Sequence, residues 1–147
     1  MSRVAVIGGG PAGIMAAAAA AGCGHDSVLL EKNEKLGKKL FLTGKGRCNI
    51  TNSCDTDDFF ANIPRNPKFL YSALYGFSNT DIVELINANG VPTKVERGKR
   101  VFPASDKSSD VIKALARHLN NSGAELRLNT EVSGIRKAGS GFELTVN

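Results

Sequence analysis

Gly8, Gly10 and Gly13, followed about twenty residues later by Glu31, are the residues whose types and spacing most directly imply chemistry. In such a pattern the first glycine permits a tight turn and the second lets the backbone approach a pyrophosphate with no Cβ in the way. The third allows a helix to pack closely on a strand. An acid at the end of the next strand can accept hydrogen bonds from ribose hydroxyls, so the four residues together describe a dinucleotide site. A carboxylate at that place would repel a ribose 2′-phosphate, which favours the adenosine half of FAD or NAD over that of NADP.

The elements needed to position these residues are present in order. Val4 to Ile7 is a short apolar run with the β-branched content of a buried parallel strand. Pro11 to about Ala21 reads as a helix whose N-terminal N–H groups and dipole face the pyrophosphate. Its run Met15 to Ala21 forms helix strongly with little bulk, and Gly22 and Gly24 end it. Ser27 to Leu30 is the next strand and delivers Glu31.

A second donor-rich segment follows. Lys35 to Asn52 reads as a brief helix over Gly37 to Leu42 and then a glycine-bearing loop. Gly44-Lys45-Gly46 lacks the upstream glycine and the Ser/Thr after lysine of a P-loop, but Thr43, Lys45, Arg47 and Asn49 offer donors to a pyrophosphate or a flavin edge. A turn with a solvated basic face is the alternative reading of this loop.

The composition is that of an ordinary globular chain: 147 residues, 41% hydrophobic and 22% charged. The net charge of +5 is concentrated in Lys32, Lys35, Lys38, Lys39, Lys45 and Arg47, beside the expected phosphates. That cluster lacks interleaved aromatics and matches no helix-turn-helix or zinc-finger pattern, so a local anion site explains it better than a nucleic-acid partner. Cys23, Cys48 and Cys54 form no disulfide framework or metal-ligand spacing and read as reduced thiols; a thiol near the flavin is open only for Cys48. His25 and His118 read as structural or solvated. With no long apolar stretch and no leader-like N-terminus, the expected location is cytoplasmic, without a membrane partner.

Beyond the loop, helical pieces are expected at 57–62, 68–74 and 79–88, the last capped by Asn79 or Thr80 and closed by Asn89-Gly90. Short extended segments at 92–95 and 100–102 flank a turn. A helix over Val111 to Leu119, capped by Ser108 or Ser109, leads to a half-exposed strand at 124–128 and a hairpin from 130–136 and 142–146. The whole reads as one incomplete nucleotide-binding domain: a βαβ unit at 1–31, a cofactor loop at 32–52, a helical insertion at 55–90, and strand, helix, strand and hairpin over 91–147.

Three blocks carry a family resemblance: Val6 to Gly13, Leu29 to Asn33 continuing through Thr43 to Asn52, and Arg100 to Lys107. With these, the chain resembles the N-terminal third of bacterial NAD(P)/FAD-dependent oxidoreductases of the aminoacetone oxidase and BaiN-like type. Lys45 stands where many members carry glycine. The resemblance implies an α/β, Rossmann-like FAD-binding domain with a parallel sheet, a helical insertion and a β-hairpin near the C-terminus. It further implies that Gly8, Gly10, Pro11, Ala12 and Gly13 meet the pyrophosphate, Glu31 the ribose, and Lys32, Lys38, Thr43 and Gly44 the ribose and phosphates. By the same resemblance the backbone of Val132 meets adenine, and Arg47 and Asn49 approach the flavin.

The function so implied is flavin-dependent redox chemistry on a small-molecule substrate, with hydride exchanged between FAD and NAD(P)H or an organic compound. Arg47 near the ring would stabilise its reduced, anionic form. No catalytic acid or base is named by the sequence; Ser105-Asp106-Lys107 reads as a capping turn with exposed charges. A nucleotide-binding module without turnover and an NAD-dependent dehydrogenase are the competing readings.

Overall fold

The polypeptide alternates between strand and helix from its third residue. In the computed structural model, which describes residues 1–147, the elements in chain order are β1 (Arg3–Ile7), α1 (Pro11–Gly22), β2 (Asp26–Leu30), α2 (Lys38–Phe41), β3 (Thr51–Asn52), α3 (Thr56–Ala61), α4 (Tyr71–Gly76), α5 (Asn79–Ala88), β4 (Thr93–Glu96), β5 (Arg100–Pro103), α6 (Ser108–Asn121), β6 (Glu125–Arg127), β7 (Val132–Ala138) and β8 (Gly141–Val146). They fall into two compact units: residues 1–40 with 115–147, and residues 41–114. No helix is long and apolar enough to cross a membrane.

The first unit holds a parallel sheet of order β1-β2-β6, with Val4 opposite Ser27, Ile7 opposite Leu30 and Val28 opposite Glu125. β2 is buried from Ser27 to Leu30, residues of both its faces alike, as in a parallel strand covered on both sides. β1 was expected to be buried and is not: its residues alternate between exposed and half-buried, and Ile7 is 49% exposed. The period of two shows that one face of β1, that of Arg3, Ala5 and Ile7, is left uncovered. α1 buries Ile14, Ala17 and Ala18, and the Ser27 hydroxyl donates to the Ala17 carbonyl at 2.9 Å, tying helix to strand. α1 ends through Gly24, whose φ of +80° glycine adopts without strain. β7 and β8 form the expected hairpin, with a register irregularity between Val132 and Gly134.

The second unit contains the antiparallel sheet β3-β5-β4, in which Asn52 opposes Arg100 and Val95 opposes Val101. Its core includes Cys48, Phe60, Ile86, Val91, Val101 and Phe102. The expected piece at 68–74 is instead a 3-10 turn, Pro67–Leu70, followed by α4. α5 spans the expected residues, but its cap is Ser78 rather than Asn79 or Thr80. The Ser78 hydroxyl accepts the Asp81 N–H while the Asp81 carboxylate accepts the Ser78 N–H, a reciprocal capping box. Asn79 is occupied elsewhere: its amide donates to the carbonyls of Asn52 (2.7 Å) and Cys54 (2.8 Å).

α6 begins at Ser108 itself, so Ser108 is not a cap in the expected sense; its hydroxyl donates to the Phe41 carbonyl at 3.0 Å. Val111, Ala114, Leu115 and Leu119 make the buried stripe of α6 at helical spacing.

Candidate functional site: a glycine-rich turn and a buried carboxylate

The turn from β1 into α1 is built as its spacing requires. Gly8 has φ +103°, a value open to glycine and strained for any other residue. A Cβ on Gly13 would lie 1.9 Å from the Gly8 carbonyl oxygen, so helix and turn approach each other only because that atom is missing. A Cβ on Gly8 or Gly10, by contrast, would meet nothing within 4 Å. Those two glycines border open space, at the start of a helix whose N-cap, Gly10, supplies no side-chain bond and whose first turn contains no acid. The leading N–H groups and the positive end of the dipole are therefore presented there. This is the cradle a pyrophosphate needs, and the residues fit it.

Glu31 lies at the end of β2, 7% exposed, with its carboxylate turned to the glycine turn. Oε2 accepts the Gly9 N–H at 2.6 Å; Oε1 accepts the Asn33 N–H at 2.8 Å and the Asn33 side-chain amide at 2.6 Å. Burial opposes the charged form, but these hydrogen bonds and the nearby Lys32 outweigh it and hold the Glu31 pKa below its ordinary value. The middle glycine of the turn is also constrained: a Cβ on Gly9 would come within 2.5 Å of a Leu36 methyl and 2.9 Å of Glu31 Oε2. Gly9, Asn33 and Leu36 were not among the expected site residues. The sequence signal for them was their position: inside the glycine run, and two and five residues after the acid.

The other expected residues of this unit lie around that centre. Pro11 and Ala12 open α1 and are exposed. Lys38 donates to the Asn33 amide oxygen at 3.1 Å and to Glu34 at 3.4 Å, while Lys32 is 4.0 Å from Glu131. Val132 starts β7 opposite Val146, just after Thr130, whose N–H donates to the Glu31 carbonyl at 2.9 Å.

Thr43, Gly44, Arg47 and Asn49 belong to the second unit. Gly44 (φ 56°, ψ 33°) and Lys45 (φ 56°, ψ 40°) are both left-handed, which explains in steric terms why glycine suits position 45. Arg47 does not present a bare cation. It donates from Nε to Asp106 at 2.9 Å and from a terminal nitrogen to Glu96 at 2.5 Å and Asp106 at 2.6 Å, with its guanidinium 4.3 Å from the centre of the Phe102 ring. Lys94 donates to the other oxygen of Asp106 at 2.6 Å. Hydrogen bonds from Arg47 to Glu96 and from Lys94 and Arg47 to Asp106 keep both acids ionised below their ordinary range, and the two acids raise the Arg47 pKa. Asp106, expected in an exposed capping turn, is thus the acceptor that joins two cations. The Asn49 amide, oriented for hydrogen bonding, donates to the carbonyls of Val101 (3.2 Å) and Thr51 (3.1 Å).

Cys48 is 1% exposed, and burial pushes its thiol pKa up against a weaker opposing contribution from Thr43. It is a protonated core thiol rather than a nucleophile. No cluster of His, Cys, Asp and Glu is arranged to hold a metal.

A parallel βαβ unit with this glycine turn and a carboxylate at the end of its second strand defines a Rossmann-type nucleotide-binding fold. More narrowly, the chain belongs to the HI0933-like protein Rossmann domain family, whose model matches residues 2–147. It is 33% identical over 144 residues to a 3-dehydro-bile acid delta(4,6)-reductase of Clostridium scindens, covering 97% of this chain and 34% of the relative. It is 30% identical over 142 residues to a ribosomal RNA dihydrouridine synthase of Escherichia coli, covering 97% and 35%. The chain thus spans about a third of the length of the curated relatives it matches. Among solved structures, the open conformation of a flavocytochrome c3 fumarate reductase is similar in fold, with a TM-score of 0.59 at 24% identity over 92% of this chain and 28% of that one.

Proposed function

We propose that this chain is the FAD-binding part of a flavin-dependent oxidoreductase, with the adenosine half of the cofactor held in its first unit. The observation that carries the reading is the open space at Gly8 and Gly10, in front of the uncapped start of α1 and beside the buried Glu31. In this reading the N–H groups of Gly10, Ala12 and Gly13 and the helix dipole hold the pyrophosphate, while Gly8, whose own N–H is taken by the Leu30 carbonyl, makes the turn and Pro11 sets the first helical residue beside it. Glu31 accepts from the ribose with the lone-pair capacity left on Oε2, Lys32 and Lys38 add positive charge, and the Val132 backbone meets adenine. By the resemblance, Thr43 and Gly44 serve the ribose and phosphates and Asn49 the flavin. Arg47 shapes that loop through Glu96 and Asp106, its charge already balanced.

When bound, FAD supplies hydride exchange with a reduced nicotinamide or an organic substrate. The names of the two relatives both denote hydrogenation of a carbon–carbon double bond, which favours reduction of an electron-poor alkene over alcohol oxidation as the reaction class. The name of the second relative denotes ribosomal RNA as that protein's substrate, which keeps an RNA base beside a small molecule as a substrate class for the whole protein.

Titrating the purified chain with FAD, followed by flavin fluorescence with ADP and NAD as competitors, tests the proposal. Saturable binding displaced by ADP is expected. A folded chain that binds NAD tightly and FAD not at all would overturn it in favour of a dehydrogenase. Anaerobic addition of NADH or NADPH to the FAD-loaded chain then separates a redox unit, whose flavin bleaches, from a binding module, whose flavin does not.

A further inference from the structure

The Glu31 carboxylate is the centre of a chain of contacts that begins outside the glycine motif. Lys38 Nζ donates to the Asn33 amide oxygen at 3.1 Å, which turns the amide nitrogen toward Glu31. That nitrogen and the Asn33 N–H both donate to Oε1, at 2.6 and 2.8 Å, leaving Oε2 for the Gly9 N–H at 2.6 Å. The same segment holds the turn a second time: the Gly37 N–H donates to the Gly9 carbonyl at 2.9 Å, and Leu36 packs where a Gly9 Cβ would be. Asn33 is itself fixed by the Asn129 N–H, which donates to its carbonyl at 3.0 Å.

A carboxylate has about four lone-pair positions. Three are filled by protein donors, and Asn33 supplies two of the three. The side chain of residue 33 therefore fixes which face of Glu31 remains open, and Glu31 in turn fixes the Gly9 peptide in the middle of the glycine turn. A hydrogen bond to an ionised acceptor in a buried site is among the stronger neutral-to-charged contacts, so losing the amide should be felt at both ends of this chain.

We propose that Asn33 is a positioning residue of the nucleotide site: it orients the Glu31 carboxylate, and through it the Gly9 peptide, before any ligand arrives. The proposal rests on the adenosine-site reading above for its consequences in binding, but its first consequence is independent of any ligand. Replacing Asn33 by Ala leaves the backbone donor and removes the amide. Replacing it by Asp keeps the shape and puts a second carboxylate against Oε1, so that the pair favours sharing one proton.

The test combines two measurements on the 147-residue chain and on the Asn33→Ala and Asn33→Asp variants. The first is amide hydrogen exchange at Gly9 without ligand. Exchange should accelerate roughly tenfold or more in Asn33→Ala, as expected when a net contact of about 1.5 kcal/mol is lost, while amides in α5 are unchanged. The second is ADP affinity against pH. Asn33→Ala should bind about tenfold more weakly than the parent and weaken further as pH falls, with its acid limb displaced to higher pH than the parent's, because Glu31 has lost a donor to its ionised form. Asn33→Asp should bind poorly at neutral pH and recover as pH falls, because one O–H then replaces the lost amide donor. A general loss of packing would not give opposite pH trends. Unchanged Gly9 exchange in both variants, or identical pH profiles, would overturn the proposal. If Gly9 exchange responds while the parent binds neither ADP nor FAD, the positioning role stands and the functional reading above falls.

Discussion

The Gly8 carbonyl oxygen occupies the place where a side chain on Gly13 would begin, 1.9 Å from an ideal Cβ. Two glycines of one motif are thus needed for opposite reasons, since Gly10 faces open space and Gly13 a filled one. Gly13→Ala should cost on the order of 1–3 kcal/mol or more through overpacking. Gly10→Ala should cost less, about 0.5–1 kcal/mol, because glycine is the better N-cap, but should weaken ADP binding, because its methyl enters the cradle. Urea denaturation of each variant beside an ADP titration checks both halves; equal losses of stability would contradict the assignment.

Glu31 makes stability depend on acid in a defined direction. Its folded-state pKa lies below the ordinary 4.5, so the carboxylate contributes stability above that value and loses it as pH falls through the folded pKa. Glu31→Gln should be less stable than the parent at neutral pH, and the gap should narrow progressively below pH 4.5. Thermal melts of the two proteins across the acid range measure this; a constant gap would show that Glu31 does not titrate differently in the folded state.

The reciprocal bonds between Ser78 and Asp81 predict a local effect. Ser78→Ala should destabilise the protein by about 1 kcal/mol, and Asn79→Ala should do so by a separate route, through the carbonyls of Asn52 and Cys54. Because the two residues are neighbours at the start of one helix, chemical denaturation of the double variant beside the single ones should show a cost that departs from the sum of the two.

Lys45 carries a left-handed backbone with φ 56°. Lys45→Gly should relieve that strain and stabilise the chain by up to about 1 kcal/mol after the added freedom of the unfolded state is subtracted. A lower midpoint in urea would mean that the lysine side chain contributes more than its backbone costs.

Thiol chemistry should follow burial. Cys23 is exposed and Cys48 is 1% exposed with a raised pKa, so a disulfide reagent near neutral pH should modify Cys23 promptly and Cys48 only when the chain unfolds. Peptide mapping after timed labelling gives the order directly.

The parts of the fold that could be read from sequence are those set by neighbours along the chain. The β1-turn-α1-β2 unit was legible because its glycines, its alanine run and Glu31 act within a span of some thirty residues. α5 was legible in extent but not in its cap, since Ser78, Asn79 and Thr80 are all good cap residues and only the tertiary demand on Asn79 decides among them. The pairing of β6 with β2 and the partners of Arg47 were not legible. Glu96 and Asp106 lie 49 and 59 residues from Arg47, and nothing local in the sequence specifies that they meet it. The exposure of β1 was missed for a related reason: a strand's composition reports its propensity, whereas its burial depends on what covers each of its faces.

The bond between the Ser108 hydroxyl and the Phe41 carbonyl joins residues 67 apart and closes the long excursion between them. Residues 42–107 therefore form a long loop whose two ends are held together inside the second unit, so a change of length within the loop need not alter the spacing of those ends.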